Sequence, residues 1–211
     1  MLQVARSTVI SALDRLVSDG LVTRRQGSGT YVTDAAATGR GERFEVLMPQ
    51  TEMARLEGID VELLSVEART DVEVSDDVAD ALDILPGTGV TTILQVVGRD
   101  GAPAAFFRSF VSPAMHLPPL AELTAMVRAH GSLMQGMLAQ GAALATGTTR
   151  VSARLVSPES EDGDLLAVRE SVPALEVVET LFCVRGMPVC HHRDVVLASG
   201  WPLVMHRSLP A

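Results

Sequence analysis

One order of elements, written twice between residues 74 and 197, constrains this chain more than any other feature. Val74-Ser75 opens an acidic stretch read as a helix over 76–85, and Pro86-Gly87 leads into an extended run over 90–97. The turn Asp100-Gly101-Ala102-Pro103 then sends the chain back over 104–111. Val156-Ser157 opens the second copy, a helix reaching about Arg169, and Val172-Pro173 leads into a strand over 175–184. Arg185-Gly186-Met187-Pro188 makes its turn, and 189–197 returns. Val74 and Gly101 are 27 residues apart, and Val156 and Gly186 are 30 apart. Helix-hairpin units of this size bury their apolar faces by pairing, so the expectation is one antiparallel sheet with helices packed on it, an α+β fold. A joining helix is predicted over 132–140, capped by Ser132 and stopped by Gly141.

The two ends of the chain differ in charge. Residues 1–43 carry six arginines against four acids, while the remainder carries 11 against 22, within a total of −9. A mildly basic end on an acidic body suits a nucleic-acid-reading module attached to a separate sensor and argues against a generally basic binding surface. Only 3% of residues are aromatic, so the core rests on Val, Leu and Ala. Two cysteines without a signal peptide point to a reducing cytoplasm. The longest uncharged run, 129–149, is interrupted by Gly131, Gly136, Gly141 and Gly147 and reads as a water-soluble helix with glycine-rich ends, not as a membrane span.

Within residues 4–32 a helix can start at Ser7 or Thr8, whose hydroxyls can accept from first-turn N–H groups. Val9, Leu13, Leu16 and Val17 recur as one apolar stripe, and Gly20 is placed to end the helix. Arg24 and Arg25 precede Gln26-Gly27-Ser28-Gly29, and Thr30-Tyr31-Val32 completes a glycine-tipped hairpin. Residues 33–43 lack apolar periodicity and read as a linker. The expected organisation is a DNA-reading module over 1–33, a linker over 34–43 and a second domain over 44–211.

Ala5-Arg6-Ser7-Thr8-Val9 and Arg25-Gln26-Gly27-Ser28-Gly29-Thr30 resemble the recognition helix and wing of the GntR family of bacterial regulators. The resemblance implies a winged helix-turn-helix with Arg6, Ser7 and Thr8 in the major groove of a double-stranded operator. Gln26, Gly27, Ser28 and Gly29 would track the minor groove or nearby phosphates, with Arg24 and Arg25 adding sequence-independent attraction. Ile10 stands where family members often carry a second arginine, and the family's first helices have no counterpart in this sequence. Two readings stay open: a start assigned too late, or a chain that no longer holds DNA.

The order of elements behind the wing is similar to the UTRA effector-binding domain of HutC-type GntR regulators, whose fold is like that of chorismate lyase. The similarity covers about 46–207. It implies a homodimer, a small-molecule effector between the hairpins and the joining helix, and repression relieved by that effector. Sugar-phosphate sensors of this kind use an Arg-x-Arg pair before the Asp-Gly turn and a glutamate ten residues later. Gln95, Val97 and Phe107 stand at those positions, so an amino-sugar phosphate is not the expected ligand.

Arg108 and Ser109 match the family's Glu-Arg-Ser-Tyr run, and with Ser132 they form one candidate anion site. His191 and Arg193, two apart on the last strand, share a face and can receive an acid, with Glu176 joining them if the register allows. Either set makes an anionic effector the expectation. Cys183 and Cys190 with His191 and His192 lack the spacing of a structural zinc site, so no metal or cofactor is expected. Nor do paired carboxylates, a nucleophile with its base, or a cofactor loop point to an enzyme.

Overall fold

The computed structural model describes residues 5–18, 22–25, 29–32 and 47–204. The chain divides into two compact units, one of residues 1–48 with 203–211, the other of residues 49–202. The expected linker over 34–43, the helix stop at Gly20 and the wing tip at Gln26, Gly27 and Ser28 lie outside the described residues.

In the first unit, helix α1 (Arg6–Ser18) begins one to two residues before the expected start: Ala5 C=O accepts from Thr8 and Val9 N–H, so Ser7 and Thr8 lie inside the first turn and not at the cap. Strands β1 (Val22–Arg25) and β2 (Gly29–Val32) pair antiparallel from Val22↔Val32 to Arg25↔Gly29. Gly29 sits at φ +122°, a conformation that favours glycine. The apolar stripe stays largely open: Val9, Ile10, Leu16 and Val17 are exposed and Leu13 is half-buried.

The second unit is built on one six-stranded sheet. Its elements in chain order are α2 (Gln50–Leu56), β3 (Glu62–Val72), α3 (Asp76–Ala81), β4 (Val90–Arg99), β5 (Ala102–Val111), α4 (Leu120–His130), α5 (Leu133–Ala139), β6 (Leu144–Val156), α6 (Glu161–Leu165), β7 (Val172–Cys183) and β8 (Pro188–Leu197). The strand order is β3-β4-β5-β8-β7-β6, and every neighbouring pair is antiparallel. Each repeat is therefore a strand, a short helix and a hairpin, and the two meet at the β5–β8 seam.

Turn chemistry fixes the first hairpin. Asp100 and Gly101 both hold positive φ, at 53° and 79°, which closes a two-residue turn between Arg99 and Ala102. Both repeat helices are shorter than expected. Each unwinds before a non-glycine residue in the left-handed region, Asp83 in the first and Ala167 in the second. The uncharged stretch 129–149 is not one helix: it holds the end of α4, all of α5 and the start of β6. Gly131, at φ +77°, ends α4 and accounts for the break.

Packing divides the sheet's two faces. On one, α3 sets Val78 and Leu82 against Val90 and Phe110, and α6 is followed by Leu166, which joins Phe106, Val156 and Val195. On the other, Ala54 of α2 and Trp201 pack with Val97, Ala105, Phe107 and Val196. Helix α5 lies on this second face too, since Leu133 N–H donates to the Gln95 side chain at 3.3 Å. The first will be called the α3/α6 face and the second the α5 face.

Gly163 shows how tightly α6 is seated. A Cβ there would lie 2.1 Å from the Ser157 carbonyl oxygen and 3.0 Å from Pro158 Cα, both backbone atoms that cannot step aside. Gly163→Ala is expected to destabilise the domain by about 3 kcal/mol. Gly141→Ala meets nothing within 4 Å and carries only left-handed strain, so it should cost about 1 kcal/mol. Urea midpoints with unchanged m-values would measure both; equal costs would contradict the backbone clash.

Candidate functional site

Directly paired residues on neighbouring strands point to the same side of a sheet, so the register assigns every candidate to a face. In the β5–β8 pair, Arg108 lies opposite Arg193, Ser109 opposite His192, Phe110 opposite His191 and Phe107 opposite Asp194. Arg108, His191 and Arg193 therefore share the α3/α6 face, and Ser109 takes the α5 face. Ser132 caps α5, accepting from Gln135 N–H at 3.1 Å, and belongs with Ser109. The five candidate effector residues split into two groups on opposite sides of the sheet.

On the α3/α6 face both arginines are engaged. Arg108 Nη2 donates to Glu161 Oε1 at 2.7 Å, and its guanidinium stands 5.5 Å from the centre of the Phe106 ring. Arg193 is paired with Asp77, whose carboxyl is held down to about 2 by the Ser75 hydroxyl and then by Arg193. Glu176 does not join them: it receives Arg154 Nη1 at 3.2 Å. His191 is buried, with Nδ1 2.9 Å from the Thr180 hydroxyl and its ring 6.3 Å from that of Phe110. Burial, and then Arg193, push its pKa down to about 4.

Buried polar atoms without partners occur on both faces: His191 Nε2 and Arg193 Nε on the α3/α6 face, and a larger group on the α5 face. Gln95 on β4, Ser109 on β5 and His192 and Asp194 on β8 are all at least nine-tenths buried. Register puts Gln95 beside Phe107, Phe107 beside Asp194, and His192 beside both Ser109 and Glu179 of β7. Ser109 Oγ lies 2.9 Å from His192 Nδ1. Gln95 Nε2, His192 Nε2, Asp194 Oδ1 and the nearby Trp201 Nε1 have no hydrogen-bond partner. The Trp201 ring lies 6.4 Å from that of Phe107 and closes one side of this row. Buried polar atoms are normally satisfied, so four orphans on one face make it the candidate binding layer.

Electrostatics distinguish this face from the other. Burial, then the neighbouring Glu179, push the Asp194 carboxyl well above the usual carboxylate range. Glu179 is raised by burial, although the Thr149 hydroxyl donates to it at 2.7 Å. His192 is pushed down to about 4 by burial and then by His191, so it is neutral at pH 7. Cys190 lies along the same row, fully buried, its thiol raised by burial and then by Asp194 and Glu179.

Sequence reasoning missed Asp194 and Glu179. The signal was present in the alternation Cys190, His192, Asp194, which runs against His191 and Arg193 on the other face. Among the described residues no group of three or more metal-ligating side chains comes together, and no helix is long and apolar enough to cross a membrane. A cleft of about 360 Å³ opens between the ends of β3 and β4 and the segment after β5, but none of its lining residues carries an orphaned buried atom.

In the first unit, Ser7 and Thr8 lie exposed on the first turn of α1, and Gly29 and Arg24 flank the hairpin tip. Arg24 Nη1 is 2.6 Å from Asp14 Oδ1, with both side chains about half exposed. The Arg6 and Arg25 side chains, like Gln26, Gly27 and Ser28, lie outside the described residues.

A helix and hairpin ahead of a six-stranded sheet built from two paired repeats define the class to which the chain belongs. The pattern of the family "Bacterial regulatory proteins, gntR family" matches residues 1–32, and that of the UTRA domain matches 58–199. The chain belongs to the UTRA-domain regulators of the GntR family. It is 29% identical over 192 residues to the uncharacterized HTH-type transcriptional regulator RB1450 of Rhizobium meliloti, covering 90% of this chain and 75% of that one. Its fold is similar to that of the possible transcriptional regulator YydK from Bacillus subtilis, with a TM-score of 0.66 at 15% identity over 98% of this chain and 84% of that one. PhnF from Mycobacterium smegmatis is also similar, with a TM-score of 0.57 at 19% identity over 98% and 86%.

The pH dependence of His192 tests the burial of this layer. The folded state keeps the ring neutral down to about 4, whereas the unfolded chain takes up a proton near pH 6.5. Stability from the neutral ring is thus complete above 6.5 and drains as pH falls toward 4. Asp194, with its raised pKa, has the opposite slope, so wild type should be compared with His192→Gln. Wild type should lose up to about 3 kcal/mol relative to the variant across that window, read from urea unfolding at each pH; parallel curves would contradict a buried neutral imidazole.

Proposed function

We propose that this chain is a ligand-responsive transcriptional repressor acting as a homodimer, with DNA contacts in residues 1–33 and the effector bound on the α5 face of the domain over 44–211. The row of orphaned buried atoms on Gln95, His192 and Asp194 is the observation that carries the effector site. Ser109 and Ser132 join that site, while Arg108, His191 and Arg193 stiffen the reverse face. An effector with different affinities for two arrangements of the domain shifts operator affinity by that difference. The likeness to RB1450, a protein described as an HTH-type regulator, supports the DNA-reading half.

The anionic effector expected from the sequence finds less support. Both arginines of that expectation face away from the orphaned layer and are paired with carboxylates. At α5 the place of an incoming anion is taken by Gln95 Oε1, which accepts Leu133 N–H.

Arg6, Ser7 and Thr8 supply base contacts in this reading, and Arg24, Arg25, Gln26, Gly27, Ser28 and Gly29 supply contacts to the backbone and minor groove. The Arg24–Asp14 pair is solvent-exposed and worth little, so a phosphate can displace the aspartate. Fluorescence anisotropy against the DNA upstream of its own gene, over a range of salt, tests this. The expected result is preference for that DNA over a scrambled duplex, with affinity falling steeply as salt rises. Arg24→Ala should flatten the salt slope by about one and weaken all sequences alike. Absence of any salt-sensitive preference would leave an effector-binding protein that does not read DNA.

A further inference from the structure

Resting on the effector site just proposed, we infer that its ligand is a small organic cation, a nitrogen base bearing N–H donors, whose positive end docks on Asp194 and whose other end offers an acceptor to Gln95. The assignment follows from which groups the α5 face lacks as well as those it holds. Asp194 and Glu179 are two carboxyl groups on adjacent strands, near enough that Glu179 adds to the rise of Asp194. Among the described residues the central row of this face carries no arginine to balance them, and the sequence has no lysine. Its one base, His192, is buried with Nδ1 against Ser109. One Asp194 oxygen is orphaned, while the carboxylate also accepts from the Arg108 backbone N–H. A buried carboxyl with a free lone pair and no arginine in its own row favours a ligand that brings the positive charge.

Two further features suit such a ligand. Phe107 lies between Gln95 and Asp194 in register, with the Trp201 ring 6.4 Å from it, so aromatic surface borders the acid. Aromatic faces attract ammonium and guanidinium groups once water is excluded. Gln95 is also held in one orientation. Its Oε1 is committed to Leu133 N–H, which leaves Nε2 as a donor with no partner. The ligand it can satisfy carries an oxygen or nitrogen acceptor at the end away from its charge. A phosphate or carboxylate at the Asp194 end would meet two carboxyl groups and no counter-charge, and a polyol would leave the pair of acids unbalanced.

Thermal unfolding of the full chain with ethanolamine, glycinamide and histamine tests this against ethylene glycol, acetate and phosphate at matched ionic strength. At least one of the cations should raise the melting temperature by about 5 °C when well above its Kd. Asp194→Asn keeps the shape and the Arg108 N–H contact and should abolish that rise. Glu161→Gln on the opposite face should keep it. A rise with acetate, phosphate or ethylene glycol alone would overturn the cation while keeping a ligand site, and reading Gln95→Ala alongside would show whether that site is on this face. No rise with any of the cations, or a rise that survives in Asp194→Asn, overturns the inference whatever the operator measurement gives.

Discussion

The β5–β8 seam holds this domain together, and its most demanding feature is a pair of like charges set opposite each other. Gly101 and Gly186 are 85 residues apart, as are Arg108 and Arg193, so the two arginines are equivalent positions of the two repeats. The register brings them face to face, which places an approximate two-fold axis of the domain between them. Like charges directly opposite on neighbouring strands repel. The fold answers from both sides: Glu161 at the start of α6 takes Arg108, and Asp77 in the first turn of α3 takes Arg193. Each arginine is thus neutralised by the helix of the other repeat. Two ion pairs at the surface contribute little energy on their own, but these set where both short helices lie.

That arrangement also sorts the polar residues of the seam between the two faces. With both guanidinium groups drawn to the α3/α6 face, the alternation of the strands sends Ser109, His192 and Asp194 to the other. Asp194 is next in chain to Arg193 and opposite Phe107, and it accepts from the backbone N–H of Arg108. The two faces are therefore two sides of the same few residues. A ligand engaging Asp194 acts on the strand pair whose other surface carries the cross-repeat ion pairs, which gives a physical connection between binding and the packing of α3 and α6.

Much of this was legible in the sequence, for reasons tied to local chemistry. Asp100-Gly101 and Gly186 demand left-handed backbone, so both hairpins could be placed. Ser132 capped the joining helix as its hydroxyl predicted. Strands β3 and β6 were not legible. They lie at the sheet edges, and β6 is exposed along nearly its whole length, so no burial pattern marks it. Nor could local reasoning find the ion pairs, which join residues 53 and 116 positions apart.

The candidate effector site shows the limit most sharply. Arg108 and Ser109 share one candidate site because both match the family's Glu-Arg-Ser-Tyr run, yet neighbours on a strand point to opposite faces and cannot line one pocket. The same alternation was applied correctly to His191, His192 and Arg193, where it separated the two histidines. What it could not supply was the register between β5 and β8, and that register alone determines that Ser109 belongs with His192 and Asp194 rather than with the arginines. By the resemblance, Gln95 and Val97 stand where sugar-phosphate sensors carry their paired arginines, and Phe107 where they carry a glutamate. In their place stand an amide that caps α5 from within the protein, and an aromatic ring beside a buried carboxyl. Gln95 and Val97 leave the α5 face without the paired positive charge of that pattern, and Asp194 and Glu179 give it a place for positive charge to arrive.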